Sequence, residues 1–199
     1  MSILAAEILA RVIKLTGRKS LTMSDDGEHD IEQDFIETLI EMSRRGNFLS
    51  AQVTGTLTSA SKTITKPTDI RALKGIYIDD ATDPLEQMEK YPRKEELSTG
   101  EPTHYDPQGL YWRLYPLPDG NYSYTVDYWK IHAYSTTVEF PDLKEWRKAI
   151  CEGTAYKVAY RYNMKDKGDL LRIQFEETMD ALEEEGDMEI HIAEYRDLS

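Results

Sequence analysis

Residues 100–129 read GEPTHYDPQGLYWRLYPLPDGNYSYTVDYW and alternate apolar with polar side chains twice, with a break between. Leu110, Trp112 and Leu114 alternate with Tyr111, Arg113 and Tyr115, so the two sets point to opposite faces of a strand. Tyr122, Tyr124, Val126 and Tyr128 then alternate with Ser123, Thr125 and Asp127, a half-buried strand with one aromatic face. Between them lies Pro116-Leu117-Pro118-Asp119-Gly120-Asn121. Proline presets φ and glycine or asparagine accepts positive φ, so the segment reverses the chain. The expectation is an antiparallel hairpin whose aromatic cross-strand pairs serve as core rather than as a ligand platform.

Upstream, the period is helical. Leu4, Ile8, Val12 and Leu15 form one face of a helix that Gly17 ends. After a polar loop from Arg18 to Gly27, Asp30 and Gln33 have the spacing of a capping box. Ile31, Phe35, Leu39 and Met42 form the next stripe, closed by Arg44, Arg45 and Gly46. From Phe48 the period becomes two: strands are predicted over 51–57 and 62–65 about a Thr58–Ser61 turn, and over 72–79. Pro92–Leu97 reads as a short helix opened by proline.

Downstream, Asp142 and Glu145 make another capping pair, and Leu143, Trp146, Ile150, Thr154 and Val158 share a face of a long helix. Gly153 inside it costs about 1 kcal/mol against alanine, which points to a closely packed neighbouring backbone. After a reversal over 163–168, Leu171, Phe175, Met179 and Leu182 stripe a last helix that ends near Gly186. Beyond it Met188, Ile190 and Ile192 alternate with Glu189 and His191.

This order predicts an α+β protein. A helical pair covers 1–47 and a small, sandwich-like antiparallel β region is inserted over 48–138. A second helical pair over 139–186 packs on the first as a four-helix bundle, and an extended tail runs over 187–199.

Composition bounds the function. The formal charge of -13 opposes a phosphate-gripping surface, because nucleic-acid affinity comes mostly from Lys and Arg. Arg113 and Lys130 stand nearly alone beside the tyrosines, so stacking on single strands lacks its basic groove. The single cysteine, Cys151, makes no internal disulfide and reads as buried and structural, consistent with synthesis in a reducing compartment. The apolar start, MSILAAEILARVIKL, is too short to span a bilayer and lacks a signal peptide's basic leader. His29, His104, His132 and His191 have no second ligand at metal spacing, and no phosphate loop or nucleophile elbow occurs. Asp79, Asp80 and Asp83 lack the EF-hand spacing and read as a solvated loop. No catalytic residue, cofactor or metal is expected.

Five stretches carry a resemblance: ILAAEILARVIKLTG, DIEQDFIETLIEMSRRGNF, KTITKPTDIRALKGIYID, GEPTHYDPQGLYWRLYPLPDGNYSYTVDYWK, and the closing pair DLKEWRKAICEGTAYKVAYRYN with LLRIQFEETMDALEEE. Together they resemble the head-to-tail connector, or portal adaptor, proteins of tailed bacteriophages. The most specific part is G-E-P-T-H-Y followed by a strand, P-x-P-D-G and an aromatic strand. The resemblance implies a structural virion protein of the neck, made in the bacterial host cytoplasm. It implies a roughly dodecameric ring beneath the portal, with the helices as its wall and the β region meeting further neck or tail proteins. DNA would pass through the lumen without specific binding, and no membrane is involved. In such proteins a C-terminal segment often docks on the portal, which assigns that role here to the apolar tail residues Met188, Ile190, Ile192 and Tyr195. Two other readings stand beside it: another neck or tail-completion protein, and a cytoplasmic small-ligand module or enzyme with the aromatic hairpin as pocket wall.

Overall fold

The computed structural model describes residues 3–23, 30–79, 81–90, 92, 98–140 and 143–196, the side chains of 3–5 and 185–196 excepted. The helical stripes become α1 (Ile3–Thr16), α2 (Glu32–Arg45), α3 (Lys144–Arg161) and α4 (Lys165–Arg196). The alternating stretches become β1 (Ser50–Leu57), β2 (Thr63–Thr65), β3 (Ile70–Ile78), β4 (Glu86–Gln87), β5 (His104–Gln108), β6 (Tyr111–Tyr115) and β7 (Tyr122–Lys130). The chain is a mixed α+β protein of two units, Met1–Leu49 with Ile131–Ser199, and Ser50–Lys130. The β unit is therefore shorter at both ends than the 48–138 segment expected. Phe48, Leu49 and Val138 instead pack into the helical core, which draws their flanking backbone with them.

In the helical unit α3 touches α1, α2 and α4. Ile8 and Val12, then Ile31, Phe35, Leu39 and Met42, Ile150, Thr154 and Val158, and Leu171, Phe175, Met179 and Leu182 are all buried. Apolar burial at roughly 25 cal/mol per Å² is what holds such stripes together. The nearest neighbours of Gly153 are side chains rather than the backbone expected: an added Cβ would run into Thr38 Cγ2 and meet Phe175 Cε2 at 2.9 Å. The methyl of Thr38 is pinned, because its hydroxyl donates to the Asp34 carbonyl at 2.8 Å. Below these, Phe140 stacks on His132 and on Trp146, with Phe48 edge-on to the indole.

Helix ends follow local chemistry, with corrections. Gly17 takes φ +77° and its N–H closes α1 on the Ile13 carbonyl at 2.8 Å. The Asp30 carboxylate accepts from the Glu32 N–H at 2.8 Å, but Gln33 Nε2 donates forward to Glu37 at 2.8 Å. The reciprocal capping box is therefore not formed, and Ile31 occupies the N-cap. The reversal before α4 is shorter than 163–168: Asn163 takes φ +57°, and Gly168 already lies inside the helix, donating to Met164 O at 2.8 Å. Of the expected helix over 92–97 only Pro92 is described, outside any helix; the rest of it and the Asp142 cap fall on residues outside those described.

The largest correction at the helical end concerns the tail. Helix α4 continues through Gly186 to Arg196, so the segment expected to be extended over 187–199 is helical to that point. One interior glycine costs only about 1 kcal/mol and does not by itself stop a helix.

In the β unit both expected hairpins are overturned while their strands survive. β6 does not pair with β7, nor β1 with β2. One antiparallel sheet has the order β1-β7-β3, and the other has β2-β6-β5-β4, with only β4–β5 parallel. β1 runs along β7 without a break from Ser50↔Trp129 to Leu57↔Tyr122, whereas β3 meets β7 through two register shifts. The tight hairpin is β5–β6: Gln108 pairs with Tyr111, and Gly109 turns the chain at φ +36°. Pro116–Asn121 instead carries the chain from one sheet to the other. Leu57, Ile76, Ile78, Val126 and Tyr128 of the first sheet and Ile64, Trp112 and Leu114 of the second form one buried cluster. The partners read as hydrogen-bonded neighbours thus meet through side chains.

Gly153→Ala gains about 1 kcal/mol of helix propensity but overpacks the contact with Thr38 and Phe175, at a cost of about 1–3 kcal/mol. The expected outcome is a net loss of stability, larger for Gly153→Val, read as a lower thermal midpoint. An unchanged or raised midpoint for both would contradict the close approach.

Candidate functional site

The residues that carry charge in the helical unit gather where α2, α3 and α4 meet. Helix α2 ends on Arg44-Arg45, and α4 presents Glu176, Asp180 and Glu183 at i, i+4 and i+7, on one face. The Arg45 guanidinium takes all three: Nη1 donates to Glu176, Nη2 to Asp180 at 2.8 Å and Nε to Glu183 at 3.0 Å. Its side chain is 23% exposed; burial works against the charge, but Glu176 and Glu183 together outweigh it and hold the pKa up. One turn back on α2, Glu41 accepts from Tyr156 Oη at 2.7 Å and from Lys157 Nζ at 2.5 Å. Burial, then the bond to Glu41, pushes the Tyr156 phenol far up, so it stays a donor.

Deeper in, Asp34 is buried. Arg161 Nη2 comes within 2.7 Å of its Oδ2 as an ion pair, off the axis of a hydrogen bond. Burial outweighs that pairing and pushes the carboxyl from 3.8 up to about 6. Glu152 is similarly buried and raised, with Thr178 Oγ1 donating to it at 2.8 Å. Burial lifts the Cys151 thiol to about 11, which keeps it protonated and inert.

Between these groups lies an open trough of about 670 Å³ lined by Glu37, Ile40, Glu41, Arg44, Arg45, Lys157 and Glu176. Four of its charges, Glu41, Arg45, Lys157 and Glu176, are tied into helix-to-helix pairs. What the trough does best is lock α2 onto α3 and α4. Among the described residues no group of three His, Cys, Asp or Glu side chains is placed to hold a metal ion, and no helix is long and apolar enough to cross a membrane.

The aromatic strands lose their candidacy as a pocket wall. Trp112, Leu114, Val126 and Tyr128 are interior to the β unit, and Tyr128 Oη donates to Asp69 at 3.1 Å. Asp79 accepts from the Ser123 N–H at 2.8 Å and from its hydroxyl at 2.9 Å, which makes it a turn anchor.

Met188, Ile190, Ile192 and Tyr195 all fall on the last turns of α4, whose side chains lie outside those described. The antiparallel packing that sets Thr178 beside Glu152 brings roughly residue 185 level with the start of α3. The last turns of α4 therefore run past α3. Sequence reading missed the Arg45 cluster. The i, i+4, i+7 carboxylates were visible, but nothing local linked them to a cation 131–138 residues away.

Asp34 contributes stability that is fully present below pH 3.8, its unfolded value, and is lost as pH rises to about 6. Against Asp34→Asn, the wild type should lose relative stability across that window and run parallel above it. A difference that stays flat, or slopes the other way, would exclude the raised carboxyl. Arg45→Ala should cost about 1 kcal/mol at low salt and less in 1 M salt, by chemical denaturation, because it leaves three carboxylates on one helix face.

No curated protein is similar enough to the chain to count as a relative. The sequence pattern of one family, SU10 adaptor protein, matches residues 4–193, which takes in both units and the helical last turns of α4. The chain thus belongs to the SU10 adaptor protein family, a family of phage head-to-tail adaptors, as its resemblance implied.

Proposed function

We propose that this phage structural adaptor forms a closed ring beneath the portal, joins head to tail and lines the channel through which DNA leaves. The family match over residues 4–193 carries the reading. In it the four helices act as a four-helix bundle forming the ring wall. The β unit acts as a sandwich-like insert facing further neck or tail proteins. The protein works in the virion and performs no catalysis. The net charge of -13 supports the channel, since a wall that repels phosphates lets DNA slide without sticking. Head-to-tail contacts between identical subunits build a ring where the rotation between neighbours closes.

The run of α4 past α3 supports a docking role for its end, now as a helical arm rather than an extended strand. Amphipathic helices dock into grooves of partners through apolar residues at successive turns. Met188, Ile192 and Tyr195 have the helical spacing of one face and are the proposed contact residues, with the portal as partner; Ile190, expected beside them on an extended tail, falls at an opposite position of the helix.

Solution mass of the purified chain, alone and mixed with the portal, tests the reading. A ring mass, or a fixed high stoichiometry on the portal, is expected. A chain that ignores the portal but binds a tail component would make it a tail-completion protein instead. Deleting residues 187–199 should leave the thermal midpoint within a few degrees and weaken portal binding about tenfold or more, by biolayer interferometry. Unchanged binding would remove the arm's role.

A further inference from the structure

Helix α4 carries an outward arc unlike the rest of the helical surface. At 100° per residue, Asp166, Asp169, Leu170, Ile173, Glu177 and Glu184 fall on its exposed side, opposite the buried Leu171, Phe175 and Leu182. Leu170 and Ile173 are 57% and 56% exposed, two large aliphatic side chains one turn apart in water. Of the cations of α4, Lys167 Nζ donates to the Thr16 carbonyl at 3.0 Å, and Arg172, at the edge of the arc beside Asp169 and Ile173, approaches Glu176 at 3.9 Å. The arc is acidic around an apolar centre.

A second patch has the opposite sign. Lys144 and Lys148 stand one turn apart on the exposed side of α3. Beside them Arg147 Nη1 donates to Glu7 of α1 at 2.8 Å, and the exposed Arg11 of α1 lies close enough to influence Glu152. The acids here are compensated or sparse: Glu7 is held by Arg147, Glu152 is buried next to Lys148, and Glu145 is exposed. At its edge Leu143 is 56% exposed at the head of α3, although its position in the apolar stripe predicts burial.

We infer that the acidic arc of α4 seats a second copy of this chain through that copy's basic patch at the start of α3. Charge complementarity selects the occupant: the acids around Leu170 and Ile173 face Lys144, Lys148 and Arg11, with Leu143 at the edge of that patch. Opposed potentials of this kind set register and on-rate, while desolvated aliphatic side chains at the centre supply affinity. The two patches are different surfaces, so the contact is heterologous and each copy keeps one patch open for the next. It explains why the surface aliphatics of α3 and α4 are tolerated in a chain of net charge -13. The inference rests on the ring reading and names the contact that builds the ring.

The test uses the full chain with the portal, read by native mass and sedimentation. Lys144→Glu with Lys148→Glu, and separately Glu177→Lys with Glu184→Lys, should each weaken ring formation about tenfold or more, and 0.5 M salt should weaken the wild type. All four substitutions together in one chain should restore it to within about threefold, which a folding defect would not do. Circular dichroism of each exposed-site variant should match the wild type. Rings of wild-type strength from both reversals, or no recovery in the fourfold variant, overturn this contact and leave the ring reading standing. A wild type that never exceeds monomer mass with the portal removes the ring reading, and this contact with it.

Discussion

The helical unit depends on how closely α3 can be approached at Gly153. Three helices pack on α3, and a side chain there would collide with the Thr38 methyl and the Phe175 ring. Both neighbours are buried and one is held by a hydrogen bond, so neither can yield. With the backbones drawn together, the flanking stripes close over one another. The polar groups that burial catches, Asp34, Thr154 and Glu152, then find partners across or along the helices.

That packing also dictates where charge can sit. The inner faces admit few ionised groups, and the carboxyl of Asp34 shows the cost in its upward shift. Charge is therefore driven to seams and outward arcs. At the seam Arg45 gathers three α4 carboxylates from the end of α2, and Lys157 joins α3 to α2 through Glu41. An assembly protein suits this division, because its working surfaces are its outer faces rather than a concave site. The family to which the chain belongs fits a molecule whose described trough is already occupied by its own ion pairs.

The β unit holds together by a different device. Two sheets share one interior, and the chain crosses between them four times, after β1, β2, β3 and β6. Across the β1–β2 and β6–β7 crossings, strands that do not bond to each other send Leu57 and Ile64, and Trp112 and Val126, into the same buried cluster. Hydrogen-bonded partners come from further along the chain, as β7 does for β1.

The sequence by itself determined the elements with strong periodicity. The stripes of α2 and α4, that of α3 apart from Leu143, the buried Cys151, the crowding at Gly153 and the strands now labelled β1, β3, β6 and β7 were legible, because each depends on spacing within one segment. Strand β5, HYDPQ, has no apolar alternation and is a strand only because β6 lies beside it. Tertiary structure alone decided which strands pair, since a strand–turn–strand pattern is the same whether backbones bond or side chains face each other. It also decided that α4 runs past Gly186, a point where a weak local stop met a cooperative helix. The Arg45 cluster and the two oppositely charged patches likewise needed the fold. Electrostatic partners are chosen by distance in space, and no local rule reports which distant carboxylates will face a given guanidinium.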